Sequence, residues 1–127
     1  MADTQRAHIL LVEDDTFLAN IYKTKFEMEG FKVTHADNGE AGYDGAGKYH
    51  PDIILLDILL PKLDGFSVLK KLKEDEDVKD IPVILLTNLG QKDDVEKGLE
   101  LGAVDYLIKA HFKPSETVAK VSKILGL

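Results

Sequence analysis

Five short apolar segments, separated by stretches with helical spacing, constrain the fold of this chain more than any other feature. The segments recur at intervals of roughly 20 to 30 residues, and each is short enough for one β-strand. We predict strands at HILLV (8–12), FKVTHA (31–36), DIILL (52–56), IPVILLT (81–87) and AVDYLI (103–108). Between them, apolar residues repeat every three or four positions, as Leu18, Ile21 and Tyr22 do. The pattern predicts five alternating strands and helices.

Residues suited to helix ends support this pattern. They are Asp15 or Thr16 and Asp64 at N-termini, Pro114 in a first turn, and Gly30 and Gly102 at C-termini. The helical stretch at 39–50 differs, because Gly42, Gly45 and Gly47 each cost up to about 1 kcal/mol relative to alanine in a helix interior. We therefore expect the second helix to be short or mobile.

Alternation of strands and helices predicts an α/β fold with a parallel sheet covered by helices on both faces. The first, third and fourth segments are apolar throughout, as central strands require. Lys32 and Thr34 interrupt the second segment and Asp105 interrupts the fifth, so we place these two at the edges. A doubly wound, five-stranded sheet in the flavodoxin-like order 2-1-3-4-5 satisfies these constraints.

Composition bounds the function. The chain has 127 residues, which predicts a single domain over 1–127 with an ordered core at about 7–126 and no output domain. Zero cysteines exclude disulfides and thiolate chemistry. Sixteen basic against twenty-three acidic residues give a net charge of −7, which disfavours direct nucleic-acid binding. Because neither a secretory signal nor a membrane-spanning run is visible, we expect a cytoplasmic protein without membrane insertion.

Acidic residues stand at the ends of two predicted central strands. Glu13, Asp14 and Asp15 follow the first strand, and Asp57 follows the third. In the order 2-1-3-4-5 the strand order reverses between these two strands, and ligands bind beyond the carboxyl ends of the strands there. Packed carboxylates repel one another unless a cation joins them, and oxygen ligands suit Mg²⁺. The sequence predicts a magnesium site.

Two further polar side chains reach the same end of the sheet. Thr87 ends the fourth segment and Lys109 follows the fifth. An ammonium and a metal ion can neutralise phosphoryl oxygens while the Asp57 carboxylate attacks phosphorus in line. These residue types indicate formation of an acyl phosphate on Asp57.

Four motifs in this order resemble a bacterial two-component response-regulator receiver domain of the stand-alone, single-domain type. They are ILLVEDD (9–15), PDIILLDILLPKLDG (51–65), PVILLT (82–87) and DYLIK (105–109), and the resemblance covers essentially the whole chain. It implies that Asp57 is the phosphoacceptor and a Mg²⁺ ligand, that Asp14 is a direct ligand, and that Glu13 acts through water. The backbone carbonyl of Leu59 would complete the metal site.

The resemblance also implies a switch and partners. Lys109 would pair with the phosphoryl group, Thr87 would hydrogen-bond to it, and Tyr106 would change rotamer when Thr87 moves. The expected partners are a histidine kinase or histidine phosphotransfer protein, a target protein on the face formed by the fourth helix, fifth strand and fifth helix, and a second copy of the chain after phosphorylation. Such a domain is not a conventional enzyme, but it catalyses its own phosphotransfer and dephosphorylation.

Ala110 and Asn88 depart from the family pattern, which has proline and commonly alanine at these positions. They leave open an alternative, a receiver-fold interaction module that does not use phosphorylation. The bond between Lys109 and Ala110 could be trans or a strained cis bond. A phosphohydrolase with an aspartyl nucleophile is disfavoured because Leu59 stands where its second carboxylate is required, and a flavodoxin is disfavoured by the acidic end of the first strand.

Some residues have a plainer interpretation. Asp15 could cap the first helix or lie near the metal. The four histidines are scattered without ligand spacing, which predicts surface positions for His8, His35, His50 and His111.

Overall fold

A computed structural model of the protein describes residues 7–88, 92–109 and 113–127. In these ranges strands and helices alternate along the chain. The strands are β1 (His8–Val12), β2 (Lys32–Ala36), β3 (Ile53–Asp57), β4 (Val83–Thr87) and β5 (Asp105–Ile108). The helices are α1 (Thr16–Met28), α2 (Gly39–Tyr49), α3 (Gly65–Glu74), α4 (Lys92–Glu100) and α5 (Pro114–Leu125). No helix in these ranges is long and apolar enough to cross a bilayer.

The strands form one parallel sheet in the order β2-β1-β3-β4-β5, which confirms the predicted fold. β3 and β4 are buried along their whole length, whereas β2 and β5 are the partly exposed edges. The register aligns Val12 with Leu56. It also aligns Asp57 with Leu86 and Thr87 with Ile108. The strand ends that carry the predicted site residues therefore meet at one edge.

Two buried clusters cover the two faces of the sheet. On one face, α1 and α5 pack Tyr22, Phe26 and Val121 against alternate side chains of the central strands. On the other face, α2 and α3 pack Ala46 and Leu69 against the remaining ones. Burial on both faces explains why the three central strands are apolar without alternation.

α4 packs against β4 through its backbone rather than through large buried side chains. Gly98 is the only fully buried residue in α4. A Cβ at this position would lie 1.9 Å from Cδ1 of Leu85, so any other residue there would require the Leu85 side chain to shift.

The second helix, expected to be short or mobile, is not short, because α2 has 11 residues; its mobility stays a prediction. Its glycines permit close packing. A Cβ on Gly42 would lie 2.8 Å from Cγ1 of Val12, and one on Gly39 would lie 1.7 Å from the carbonyl oxygen of Leu63. Gly47 has open space around it. The loss of helix propensity is thus offset by contact with β1 and with the loop after β3.

The predicted helix ends are confirmed at the positions that bear on the site. Asp15 caps α1, accepting a hydrogen bond from Leu18 N at 3.1 Å. Asp64 caps α3 through Ser67 N, also at 3.1 Å. Gly30 and Gly102 follow α1 and α4 with φ of +94° and +115°, where a left-handed backbone favours glycine.

Candidate active site

Three charged side chains from three strand ends meet at the carboxyl edge of the sheet. Lys109 Nζ lies 2.6 Å from Asp57 Oδ2 and 2.9 Å from Glu13 Oε1. Glu13 follows β1, Asp57 ends β3, and Lys109 follows β5, so the ammonium bridges two carboxylates separated by more than forty positions in the chain. The predicted convergence of these residues is observed.

Asp57 is held by backbone as well as by Lys109. Its carboxylate is buried, and Oδ1 accepts a hydrogen bond from Leu59 N at 3.1 Å. The chain then turns so tightly that Gly65 N donates to Ile58 O at 2.8 Å. A Cβ on Gly65 would lie 2.3 Å from the Asp57 carbonyl oxygen, so only glycine permits this turn. The turn fixes the position of the Asp57 backbone.

Glu13 is wholly buried in spite of its charge. Its Oε2 accepts a hydrogen bond from Asp15 N at 3.0 Å. Burial raises the pKa of Glu13 to about 7, although the Asp15 N–H and the Lys109 ammonium both favour the charged form. The nearby Asp57 carboxylate acts in the same direction as burial. Glu13 is therefore partly protonated near neutral pH.

Lys109 is the positive member of this group. Burial alone would lower the pKa of its ammonium, but the hydrogen bond to Asp57 and the contact with Glu13 outweigh burial and raise that pKa. Lys109 is therefore a permanent cation at neutral pH, and it offsets one of the carboxylate charges.

The carboxylates fit a hard divalent cation. Glu13, Asp14 and Asp57 each offer an oxygen, and these atoms lie within 4.8 Å of one another. Glu13 Oε1 is buried and receives no hydrogen bond from the described residues, although Lys109 lies at ion-pair distance. Asp14 is exposed to solvent, so an ion has access. One ammonium against three carboxylates leaves an excess of negative charge, and an all-oxygen donor set suits Mg²⁺.

Leu59 contacts this carboxylate group through its backbone, whereas the side chain of Asp15 caps a helix. The side chain of Leu59 is 61% exposed, while its N–H binds Asp57; the role of its carbonyl remains a prediction. Asp15 is absent from the carboxylate group, and its side chain caps α1. Of its two interpretations, the structure supports the capping one.

Thr87 and Tyr106 lie on the two strands that follow β3 in the sheet, β4 and β5. Thr87 is buried at the end of β4, and its hydroxyl donates a hydrogen bond of 3.4 Å to the Asn88 carbonyl. Tyr106 is 37% exposed on β5, with Lys120 Nζ 5.7 Å from its ring centroid. In the described part of the chain, no hydrogen bond joins Thr87 to Asp57 or to Tyr106. Their roles as a switch remain predictions.

The prediction of surface positions for the histidines missed one residue at the site. His35 is half-buried, and its Nε2 lies 2.7 Å from the Glu13 carbonyl oxygen. His8 is also half-buried, 2.7 Å from Thr34 Oγ1. These contacts depend on the register of β1 against β2, which no motif in the sequence encodes. Ala110 and His111, two further positions singled out above, lie outside the described residues.

A buried carboxylate beside an ammonium, with room for a metal ion, can act as a nucleophile toward a phosphoryl group. The three groups supply the nucleophilic oxygen, a cation for the phosphoryl oxygens and ligands for a divalent ion. General acid or base groups are not required for such a transfer.

Comparison with known proteins agrees with this arrangement. The response regulator receiver domain family matches residues 9–122. A DNA-binding dual master transcriptional regulator, RpaA of Synechocystis sp., is 42% identical over 117 residues, which are 92% of this chain and 48% of that protein. The chain thus spans about half the length of the curated relatives it matches.

Solved structures show the same fold. The signal receiver domain of a signal transduction histidine kinase from Syntrophus aciditrophicus is 35% identical with a TM-score of 0.86, covering 94% of this chain and 90% of that one. The receiver domain of a sensor histidine kinase from Pseudomonas aeruginosa is 31% identical with a TM-score of 0.87, covering 95% of this chain and 98% of that one. The latter structure has a magnesium ion coordinated in its active-site cleft.

Proposed function

We propose that this chain, which belongs to the response regulator receiver domain family, accepts a phosphoryl group on Asp57 from a histidine kinase or a histidine phosphotransfer protein. The observation that carries the proposal is the contact of 2.6 Å between Lys109 Nζ and Asp57 Oδ2 at the carboxyl edge of the sheet. The contact places a cation beside the one carboxylate that a tight glycine turn holds in position.

The transfer is a single displacement at phosphorus. A carboxylate oxygen of Asp57 forms the new bond to phosphorus as the bond between phosphorus and the donor's imidazole nitrogen breaks, and the imidazole keeps the electron pair. Lys109 shifts its hydrogen bond from Asp57 toward the phosphoryl oxygens, where negative charge remains. Burial of Asp57 excludes water from the nucleophile until the donor arrives.

Asp14, Asp57 and the Leu59 carbonyl would hold Mg²⁺, with Glu13 acting through water. The bound ion would neutralise phosphoryl oxygens and reduce the repulsion between the incoming phosphoryl group and the carboxylates. The site would return to its resting state when water hydrolyses the acyl phosphate. The exposed side chain of Leu59 is apolar and cannot hydrogen-bond to the attacking water, which disfavours an ordered position for that water.

The phosphoryl group would then alter the surface formed by α4, β5 and α5. Thr87 would turn its hydroxyl from the Asn88 carbonyl toward the phosphoryl group, and Tyr106 would move inward into the vacated space. Tyr106 is 37% exposed and also borders a pocket of about 200 Å³ between β5 and α5, so its ring is not enclosed by packing. A target protein, or a second copy of the chain, would bind the altered surface.

The test is intact-mass measurement after incubation with acetyl phosphate, with and without Mg²⁺. Wild type should gain one phosphoryl group only with Mg²⁺, and Asp57→Asn should gain none. Asp37→Asn is the matched control, because Asp37 follows β2 at the same edge of the sheet but lies outside the carboxylate group. It should be labelled like wild type.

Labelling of Asp57→Asn at the wild-type rate would contradict the assignment. If wild type is not labelled and does not bind beryllofluoride, the chain is instead a receiver-fold interaction module that does not use phosphorylation.

A further inference from the structure

The backbone of Glu13 is tied to the edge strand β2 at two points, one on each side of its Cα. Glu13 N donates a hydrogen bond to the Ala36 carbonyl at 3.0 Å. The Glu13 carbonyl oxygen lies 2.7 Å from His35 Nε2. A carbonyl oxygen can only accept, so the proton of this bond is on Nε2 of the imidazole. The second tie is therefore made by a side chain.

The side chain of Asp14 has no such support of its own. In the described part of the chain it takes part in no hydrogen bond or ion pair, and it is exposed. Asp57, in contrast, is held by Leu59 N and Lys109. The orientation of the Asp14 side chain therefore depends on the peptide group that joins Asp14 to Glu13.

We infer that His35 is a positioning residue for the metal site, fixing the peptide between Glu13 and Asp14 so that the Asp14 carboxylate faces Asp57. The inference rests on the proposed function, since it concerns the affinity of the same site for Mg²⁺. Groups that orient metal ligands from behind commonly change metal affinity when they are removed. His35 does so through a backbone carbonyl rather than through the carboxylate.

The surroundings of His35 make it suitable for substitution. It is half-buried and lines an open cavity of about 630 Å³ between β2 and α2, together with Asp44, Lys48 and Tyr49. Truncating the imidazole enlarges this cavity and leaves the two buried clusters intact.

A matched control lies on the same two strands. His8 Nε2 is 2.7 Å from Thr34 Oγ1, so this residue is also a half-buried histidine that links β1 to β2 by one hydrogen bond. His8 begins β1 at the opposite end of the sheet from the carboxylates. Loss of either histidine removes one side-chain hydrogen bond that joins β2 to β1 or to the residue that follows β1, but only loss of His35 frees the Glu13 carbonyl.

The experiment is calorimetric titration of the full chain with Mg²⁺, supported by urea unfolding without Mg²⁺. His35→Leu should raise the Kd for Mg²⁺ about 3- to 10-fold, the change that one ordinary hydrogen bond represents. His35→Gln, whose amide can donate to the same carbonyl, should regain most of the lost affinity. His8→Leu should lower the free energy of unfolding about as much as His35→Leu while leaving the Kd unchanged. His35→Val provides a second variant without a donor should His35→Leu not fold.

The inference falls if His35→Leu and His35→Val bind Mg²⁺ as tightly as wild type, if His8→Leu weakens binding equally, or if His35→Gln binds no better than His35→Leu. In each of these cases wild type still binds Mg²⁺ and the proposed function stands. If wild type itself fails to bind Mg²⁺, the proposed function and this inference fall together.

Discussion

The two halves of the site are built differently. The acidic half, consisting of Glu13, Asp14 and Asp57, lies at the ends of the central strands β1 and β3, and backbone N–H groups bind two of its three carboxylates. The other half, called the edge half because it extends to the edge strand β5, consists of Thr87, which is buried at the end of β4, and Tyr106 on β5. Tyr106 stands on an edge strand with its ring partly in solvent.

Lys109 connects these halves. It follows the edge strand β5, but its ammonium contacts Asp57 and Glu13 in the acidic half. A change of charge on Asp57 therefore acts directly on Lys109, whose backbone belongs to the edge half. The carboxylate proposed as the nucleophile thus stands at the end of a fully packed central strand, whereas the predicted response extends to an edge strand, where repacking costs less.

Removal of Lys109 tests the connection and should have the largest effect. Lys109→Ala takes away the cation that pairs with Asp57 in the described part of the chain, and we expect labelling by acetyl phosphate at saturating Mg²⁺ to slow by about 100-fold. The measurement is a time course of intact mass. Lys113→Ala is the control, since Lys113 is exposed and, among the described residues, its side chain pairs with Glu116 alone. Labelling of Lys109→Ala at the wild-type rate would show that the halves are not joined through this ammonium.

The buried carboxylate of Glu13 predicts a pH dependence confined to the acidic half. Because burial raises its pKa from an ordinary 4.5 to about 7, the folded chain binds the Glu13 proton more tightly than the unfolded chain does between these values. The contribution of Glu13 to the free energy of unfolding is thus greatest at low pH and declines as pH rises from about 5 to about 8. We expect a decline of about 1–3 kcal/mol without Mg²⁺.

Urea unfolding at several pH values in this window measures that contribution as the difference between wild type and Glu13→Gln. All other titratable groups are common to both chains, so their effects cancel in this difference. Mg²⁺ should stabilise wild type more at pH 8 than at pH 5.5, where a proton competes with the ion. A difference between the two chains that stays constant with pH would show that Glu13 is ionised throughout.

Tyr106→Leu, in the edge half, should have the smallest effect. The substitution leaves an apolar side chain on β5 and removes a cation–π contact with Lys120 that is worth about 0.5–1 kcal/mol. We expect the free energy of unfolding to fall by no more than that amount and the labelling rate to stay close to that of wild type. Urea unfolding and the mass time course report both quantities. A tenfold loss of labelling would show that Tyr106 takes part in phosphoryl transfer, and that the acidic half and the edge half do not have separate roles.

The sequence predicted much of this arrangement because apolar patterning is local. The continuous apolar runs identified β1, β3 and β4 as central, and strand order then brought Asp57 and Lys109 to one edge. The features that the sequence could not predict are contacts between residues that are far apart in the chain. The role of Gly42 requires knowing that Val12 lies against it, so the sequence indicates only its low helix propensity. His35 likewise gains its partner only from the register of two strands.

The packing of α4 bears on how the edge half could change shape. This helix contributes the backbone of Gly98 to the fully buried interior, while its largest apolar side chain, Leu99, is partly exposed. Local opening of a segment costs roughly what its buried contacts contribute, so α4 belongs to the part of the molecule with a low free energy of opening. Two conformations are then close in free energy, one with α4 in place and one with α4 displaced. A ligand or partner that binds the displaced form only slightly more tightly would make that form the more populated one.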